Sequence, residues 1–170
     1  MNILCELDFN DYCEQWEKEL RIASRAIIEL NNKLVLIKSD KYGEYKFPGG
    51  GVKTNESIYD ALVRETTEET GLGIDLTTIK EFGAIIEKRK KFGHNTILYQ
   101  LSFYFKCNVT EKISTTSLDA FEKELGYKLV IEDPSIALKN NNERVFNSNI
   151  PWVKRESFVL SLLNNRYKSI

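Results

Sequence analysis

Three consecutive glycines, Gly49-Gly50-Gly51, stand between Phe47-Pro48 and a stretch whose last two helical turns carry Glu65, Glu68 and Glu69. Glycine loses more backbone freedom on folding than any other residue, so a triplet is tolerated where the chain must adopt open dihedrals or approach a ligand closely. Ser57 followed by Asp60 offers a hydroxyl and a negative charge to the free N–H groups of a helix start, and Gly71 supplies the left-handed residue that ends one. These signals predict a helix over 58–70. At about 100° per residue, Glu65, Glu68 and Glu69 share one arc. Tyr59, Leu62, Val63 and Thr66 form the adjacent core-facing arc, with Asp60, Arg64 and Thr67 turned away.

Like charges at helical i,i+4 spacing destabilise by a few tenths of a kcal/mol per pair, and the negative end of the helix dipole adds to that. A solvated acidic face screened by Arg64 and nearby lysines is one way to offset the repulsion. A hard divalent cation is the other, because Mg2+ takes oxygen ligands and commonly bridges carboxylates to substrate phosphates. The glycines favour the cation, since they let backbone carbonyls or N–H groups point at a ligand.

Gly50, five residues, Glu56, seven residues, then Arg64-Glu65-Thr66-Thr67-Glu68-Glu69-Thr70-Gly71-Leu72 resembles the signature of the Nudix hydrolases, which cleave a nucleoside diphosphate linked to another group. The likeness departs at Thr66, where the family carries an aliphatic residue; threonine is isosteric with valine, so the departure bears on packing and leaves the chemistry alone. The resemblance implies an α+β fold, an α/β/α sandwich with a mixed β-sheet between helices. It implies that Glu65, Glu68 and Glu69, with the carbonyl of Gly49 or Gly50, hold Mg2+, for which Mn2+ is a substitute. It implies Glu65 and Glu68 in catalysis, Arg64 holding a catalytic glutamate in place, and Glu56 bracing loop and helix. The proton acceptor is then a box glutamate or one from a downstream loop, for which Glu122 and Glu124 are the candidates.

At 170 residues with 42% hydrophobic content the chain suits one domain over 1–170, with 1–20 as an N-terminal segment packed over one end as a short helix or strand. The net charge of −1 gives no reason to expect nucleic acid, and no stretch reaches the ~18 apolar residues of a membrane span. A cytoplasmic protein is expected, with Cys5, Cys13 and Cys107 as reduced thiols because their spacing suits neither a zinc site nor a disulfide framework. A homodimer stays open. Arg21–Leu30 and Lys33–Lys38 read as a hairpin around Asn31-Asn32. On its first strand Arg25 either snorkels at an edge or reaches a substrate phosphate. Tyr45 and Phe47, just before the glycines, either stack on a base or fill the core. Strands are expected over 79–88 and 96–108, and Arg89 opens a basic loop between them that binds outer phosphates or keeps a hairpin tip soluble. Residues 110–125 read as an acidic loop, Asp133-Pro134 as the start of a short helix ended by Asn140-Asn141-Asn142, and Pro151-Trp152 as the start of a final amphipathic helix.

The expected activity is hydrolysis of a diphosphate linkage in a small nucleotide, first a nucleoside triphosphate pyrophosphatase releasing NMP and pyrophosphate, since markers of other Nudix types are missing. Nucleotide-sugar or dinucleoside polyphosphate hydrolysis is the alternative within the enzyme class. A non-catalytic nucleotide sensor is the alternative outside it, disfavoured because Glu56, Glu65, Glu68 and Glu69 are all present.

Overall fold

Asn31 and Asn32 take φ of 50° and 62°, the left-handed pair that a two-residue hairpin turn demands and that asparagine tolerates better than other non-glycine residues. The turn forms there, but the expected hairpin is cut short: only Glu29 and Leu30 pair across it, with Leu34 and Lys33, while residues 17–27 form a separate strand in another sheet. The structure is a computed structural model that describes residues 1–112, 114–145 and 150–167. In chain order it contains β1 (Ile3–Asp8), β2 (Glu17–Ile27), β3 (Glu29–Leu30), β4 (Lys33–Ser39), β5 (Tyr45–Lys46), β6 (Gly49–Gly51), α1 (Ile58–Thr70), β7 (Leu72–Ile74), β8 (Lys80–Lys90), β9 (Thr96–Lys106), β10 (Val109–Lys112), α2 (Ala120–Leu125), β11 (Tyr127–Glu132), α3 (Pro134–Val145) and α4 (Trp152–Tyr167).

The main sheet has the order β1-β8-β9-β2-β6. It is mixed: β1 runs parallel to β8 and β2 parallel to β9, while β8–β9 and β2–β6 are antiparallel. A second sheet places β4 between β11 and β3, with β5 also on β4, and β7 pairs with β10. Helices cover both faces. Leu62 of α1 packs with Ala26, Ile28, Val35 and Phe105 on one side. On the other, Val159, Leu160 and Leu163 of α4 and Ala137 of α3 pack with Ile27, Leu36, Phe47, Ile85 and Tyr104. This is the expected mixed sheet between helices. The segment over 1–20 contributes an edge strand, β1, and the start of β2.

The glycine loop is pinned by its pairing with β2, in register Ala23↔Gly51, Ser24↔Gly50 and Arg25↔Gly49. Gly49 has φ 134°, and a Cβ there would fall against the Ser24 carbonyl and within 2.7 Å of the Arg25 Cα. Only glycine fits so close a strand crossing. α1 begins at the Ser57 cap, which accepts from the Asp60 N–H, and ends at Gly71 in the left-handed conformation.

Several expectations are corrected. Tyr59 is 45% exposed, lying over Phe105 at the helix edge, and Ala61 and Thr70 take core positions on α1 instead. The Asn140-Asn141-Asn142 run does not end α3, which continues to Val145. Asn141 is fully buried, accepting from the Tyr45 N–H and donating to the Tyr45 carbonyl, both at 2.8 Å. Its amide thus stands in for a neighbouring strand, and this requires the helix to carry it inward. Residues 110–125 are not all loop, because α2 forms there with a reciprocal capping box between Asp119 and Glu122 and with Gly126 as its left-handed stop. Arg89 lies inside β8 and is 4% exposed, so it does not belong to a hairpin tip.

Candidate active site

Arg64, turned away from the core, reaches over the site. Its guanidinium spans the glycine loop and the helix, donating from Nε and Nη2 to the two Glu56 oxygens (2.6 and 2.8 Å), from Nη2 to the Gly51 carbonyl (3.0 Å), and from Nη1 to Glu65 (2.6 Å) and Glu68 (3.1 Å). Glu56 also accepts from the Lys53 N–H at 2.8 Å. The fork geometry of a guanidinium is what permits one side chain to hold this many oxygens. Hydrogen bonding to Arg64 pulls the Glu56 carboxyl down to about 2, and the same contacts raise Arg64 further above its ordinary value.

Glu69 is 2% exposed, which rules out a solvated acidic face at this end of α1. Its two oxygens take the Lys46 ammonium at 2.5 Å and the Gly49 N–H at 2.8 Å. Glu65 lies under Gly50, where a Cβ would come within 2.5 Å of the Glu65 carboxyl carbon. The second glycine is therefore required by the carboxylate it leaves room for. From the opposite side α2 delivers Glu122. Glu65, Glu69 and Glu122 each bring an oxygen to within 4.8 Å of the others. Burial, with the charge of Glu69 adding to it, pushes the Glu122 carboxyl up to about 7. Three convergent carboxylate oxygens against one ammonium are a hard, anionic donor set, which suits an oxygen-seeking divalent cation such as Mg2+. Glu68 is held beside this group by Arg64 with its side chain 38% exposed.

These groups open into a cavity of about 190 Å3. Its inner wall carries the buried Arg25 from β2, Arg89 from β8 and Arg155 from α4, and the lining continues with Arg21 of β2, which is solvent-exposed. Phe121 and Trp152 form the rim above the buried Tyr127, and the Trp152 ring stands 6.4 Å from that of Phe121 and 6.5 Å from that of Phe92. Within the wall Arg155, 1% exposed, donates to Glu156 and the Tyr104 hydroxyl and pairs with Glu87. Arg25 lies 3.6 Å from Glu156, and donates to the Gly49 carbonyl at 3.2 Å. Arg25 is thus not an edge residue; it sits behind the glycine loop and in the cavity.

Of the candidates read from sequence, Glu65, Glu69, Gly49, Gly50, Arg25, Arg89 and Glu122 line this one cavity or its carboxylate group, with Arg64, Glu56 and Glu68 bracing its edge. Tyr45 and Phe47 do not reach it, being 3% and 0% exposed in the core packed against α3 and α4, with Phe47 edge-on to Tyr104. The base-stacking alternative is therefore corrected to the core one. Glu124 pairs with Lys41 at the surface and stays outside the carboxylate group. The sequence reading missed Arg21, Arg155 and the aromatic rim. A signal existed for Arg155 and Glu156, which fall on the arc of Val159 and Leu163 where apolar residues are expected.

A family model for the NUDIX domain matches residues 20–156. Among curated relatives, an 8-oxo-dGTP diphosphatase of Proteus vulgaris is 31% identical over 100 residues, covering 56% of this chain and 87% of that protein. An ADP-ribose pyrophosphatase of Methanocaldococcus jannaschii is 44% identical over 54 residues, which is 30% of this chain and 32% of that protein. Nudix hydrolase 2 of Arabidopsis thaliana is 31% identical over 111 residues, 62% of this chain and 36% of that protein. The matched stretch spans only about a third of each of the latter two. Among solved structures, a NUDIX hydrolase from Nitrosomonas europaea superposes with a TM-score of 0.57 at 20% identity, covering 81% of this chain and 85% of that one. A MutT NUDIX hydrolase from Burkholderia pseudomallei gives 0.52 at 17% identity, covering 72% and 98%. Both likenesses bear on the fold.

Proposed function

The chain belongs to the NUDIX family as a Nudix-type pyrophosphohydrolase, and from that premise we propose that it is a Mg2+-dependent nucleoside triphosphate pyrophosphatase releasing NMP and pyrophosphate. The observation that carries this reading is the convergence of Glu65, Glu69 and Glu122 at the mouth of an arginine-lined cavity. Glu65, Glu68 and Glu69, with a carbonyl of Gly49 or Gly50, are assigned to the cation, joined by Glu122. When bound, the cation supplies charge neutralisation at the phosphates and a water acidic enough to attack.

The rest falls to the protein. A diphosphate repels an incoming nucleophile through its own oxygens, and the guanidiniums of Arg21 and Arg25 offset that charge from the loop side. Arg64 holds Glu65 and Glu68 in one orientation through a single planar group, while Lys46 and the Gly49 N–H fix Glu69. A positioned carboxylate, from the pair Glu65 and Glu68 or from Glu122, takes the proton of the attacking water. The triphosphate reading agrees with the activity for which the Proteus relative is named; cleavage of a nucleotide sugar or a dinucleoside polyphosphate would use the same groups. Among the described residues no helix is long and apolar enough to cross a membrane. The three free cysteines suit a reducing compartment, and we place the protein in the cytoplasm.

The test is turnover of unmodified and oxidised nucleoside triphosphates, nucleotide sugars, ADP-ribose and dinucleoside polyphosphates, with Mg2+ and with chelator, identifying each product. Metal-dependent release of NMP and pyrophosphate from triphosphates is the expected result, abolished in Glu68→Gln with the fold retained. Ligand binding without cleavage of any compound would overturn the reading in favour of a sensor.

A further inference from the structure

We propose that the inner wall of the cavity is an anion subsite for the terminal phosphate of the substrate, so that the nucleotide enters phosphates first and leaves its base outside against the aromatic rim. This deepens the hydrolase reading above and rests on it for the identity of the substrate. The wall is a built site. Arg21 and Arg25 are four residues apart on β2 and so share a face, and the register β2–β9–β8 sets Gln100 opposite both Arg21 and Glu87. Arg89, two residues beyond Glu87, joins that face, and α4 lays Arg155 over it.

Charge is not balanced there. Four guanidiniums stand with two carboxylates, Glu87 and Glu156, both fully buried; Arg155 engages one oxygen of each, and the second Glu87 oxygen, 3.8 Å from Arg89 Nε, has no hydrogen-bond partner. Arg21, which is exposed, makes no hydrogen bond or ion pair with a described residue, though it lies within the field of Glu65 and Glu19. Arg25 and Arg89, 6% and 4% exposed, each keep an Nε with no hydrogen-bond partner, their nearest carboxylates being 3.6 and 3.8 Å away. Burial, together with the positive charge of Arg155 and Arg21, lowers Arg89 to about 10. Buried polar groups are retained unpaired where something else is to meet them, and a guanidinium matches phosphate oxygens through paired N–H groups.

A nucleobase has no place on such a wall, which offers it charge and no apolar face. The rim does offer one. Phe121 and Phe92 are 44% and 52% exposed on either side of Trp152, and stacking on such rings tolerates any base. The inward position therefore selects for a terminal phosphate, and the outward one selects weakly for the base.

Calorimetric titration of the full chain with inorganic tripolyphosphate in chelator isolates the wall from any cation. Binding is expected, weakened about tenfold to a hundredfold in Arg21→Gln, the worth of one charge-assisted hydrogen bond. It is expected unchanged in Lys33→Gln, which removes the same charge from the distant β3–β4 turn. In steady-state turnover with Mg2+, changing the base of a nucleoside triphosphate is expected to alter kcat/KM less than replacing the terminal phosphate by the neutral ribose of ADP-ribose, and Arg21→Gln is expected to narrow that second gap. Absence of tripolyphosphate binding, binding indifferent to Arg21→Gln, or turnover governed by the base would each overturn the subsite. Arg21-sensitive tripolyphosphate binding without turnover of any compound would sustain the subsite and remove the hydrolase reading.

Discussion

Replacing Gly50 by alanine separates catalysis from folding more cleanly than removing a glutamate does. The backbone at Gly50 is not among the positive-φ glycines, so alanine meets no conformational penalty and lowers unfolded-chain entropy slightly. Its Cβ, however, would lie 2.5 Å from the Glu65 carboxyl carbon and 2.8 Å from Oε1. Ordinary contact begins near 3.4 Å, so the carboxylate must swing by about 1 Å, away from Arg64 Nη1 and out of line with Glu69 and Glu122. A carboxylate at the end of a flexible side chain can yield without moving the backbone, and the net loss of stability is expected below about 1 kcal/mol. The melting temperature should stay within about 3 °C of the parent. A 1 Å misplacement of a reacting or coordinating group is worth about a hundredfold in rate. Mg2+-dependent turnover, thermal melting and Mn2+ affinity measured on one preparation make the comparison, with Gly49→Ala alongside. There the Cβ meets backbone within 2.7 Å at φ 134°, and a loss of at least about 3 kcal/mol is expected. A Gly50→Ala protein that turns over at the parent rate, or that melts as low as Gly49→Ala, would refute the account of why this loop is glycine.

Arg64→Lys replaces a planar fork by a point charge and should cost about 1–3 kcal/mol by chemical denaturation while reducing turnover, because Glu65 and Glu68 lose their shared support. Glu56 is held at about 2 by Arg64, below its unfolded value near 4.5; its stabilisation is therefore present above about pH 4.5 and disappears as pH falls towards 2, and Glu56→Gln should flatten that limb of the stability–pH curve. Glu122 is displaced the other way, to about 7, so in chelated protein its ionisation opposes folding as pH rises from about 4.5 to 7. Glu122→Gln should consequently match the parent at pH 5 and exceed it by about 1 kcal/mol or more at pH 8. Arg155→Leu would strand the buried Glu87 and Glu156 carboxylates and should cost about 3–5 kcal/mol, read from the denaturant midpoint.

The box spacing sets Glu65, Glu68 and Glu69 on the last two turns of α1 because helical geometry is local, and the Asn31-Asn32 turn and the caps of α1 were legible for the same reason. The helical wheel only turns Arg64 from the core; it does not show that a long side chain at the helix flank reaches back over the loop that precedes it, as Arg64 does to Glu56 and Gly51. Glu122 was named through family likeness, yet its own helix could have been found in the Asp119–Glu122 capping pair and Gly126. Tyr45 and Phe47 could not be decided from sequence, since their burial depends on α3 and α4 closing over them from about a hundred residues away. Arg25 and Arg89 could be named singly as possible phosphate contacts and Arg155 stood out on an apolar arc, but their meeting in one wall could not be read locally, because they come from β2, β8 and α4.

The strand that pins the glycine loop is itself paired in parallel with β9 along its whole length, from Glu17↔Thr96 to Ile27↔Lys106, so each partner lies about eighty residues further along the chain. Contacts of that sequence separation are slow to form, since loop-closure entropy must be met before they contribute anything. Until they form, β2 is held on one edge only, by β6, and the glycine loop that faces the glutamates rests on an unsupported strand. Activity regained during refolding should therefore lag behind helical signal and coincide with docking of the two halves of the sheet, which makes the enzyme's own turnover a late-stage reporter of its topology.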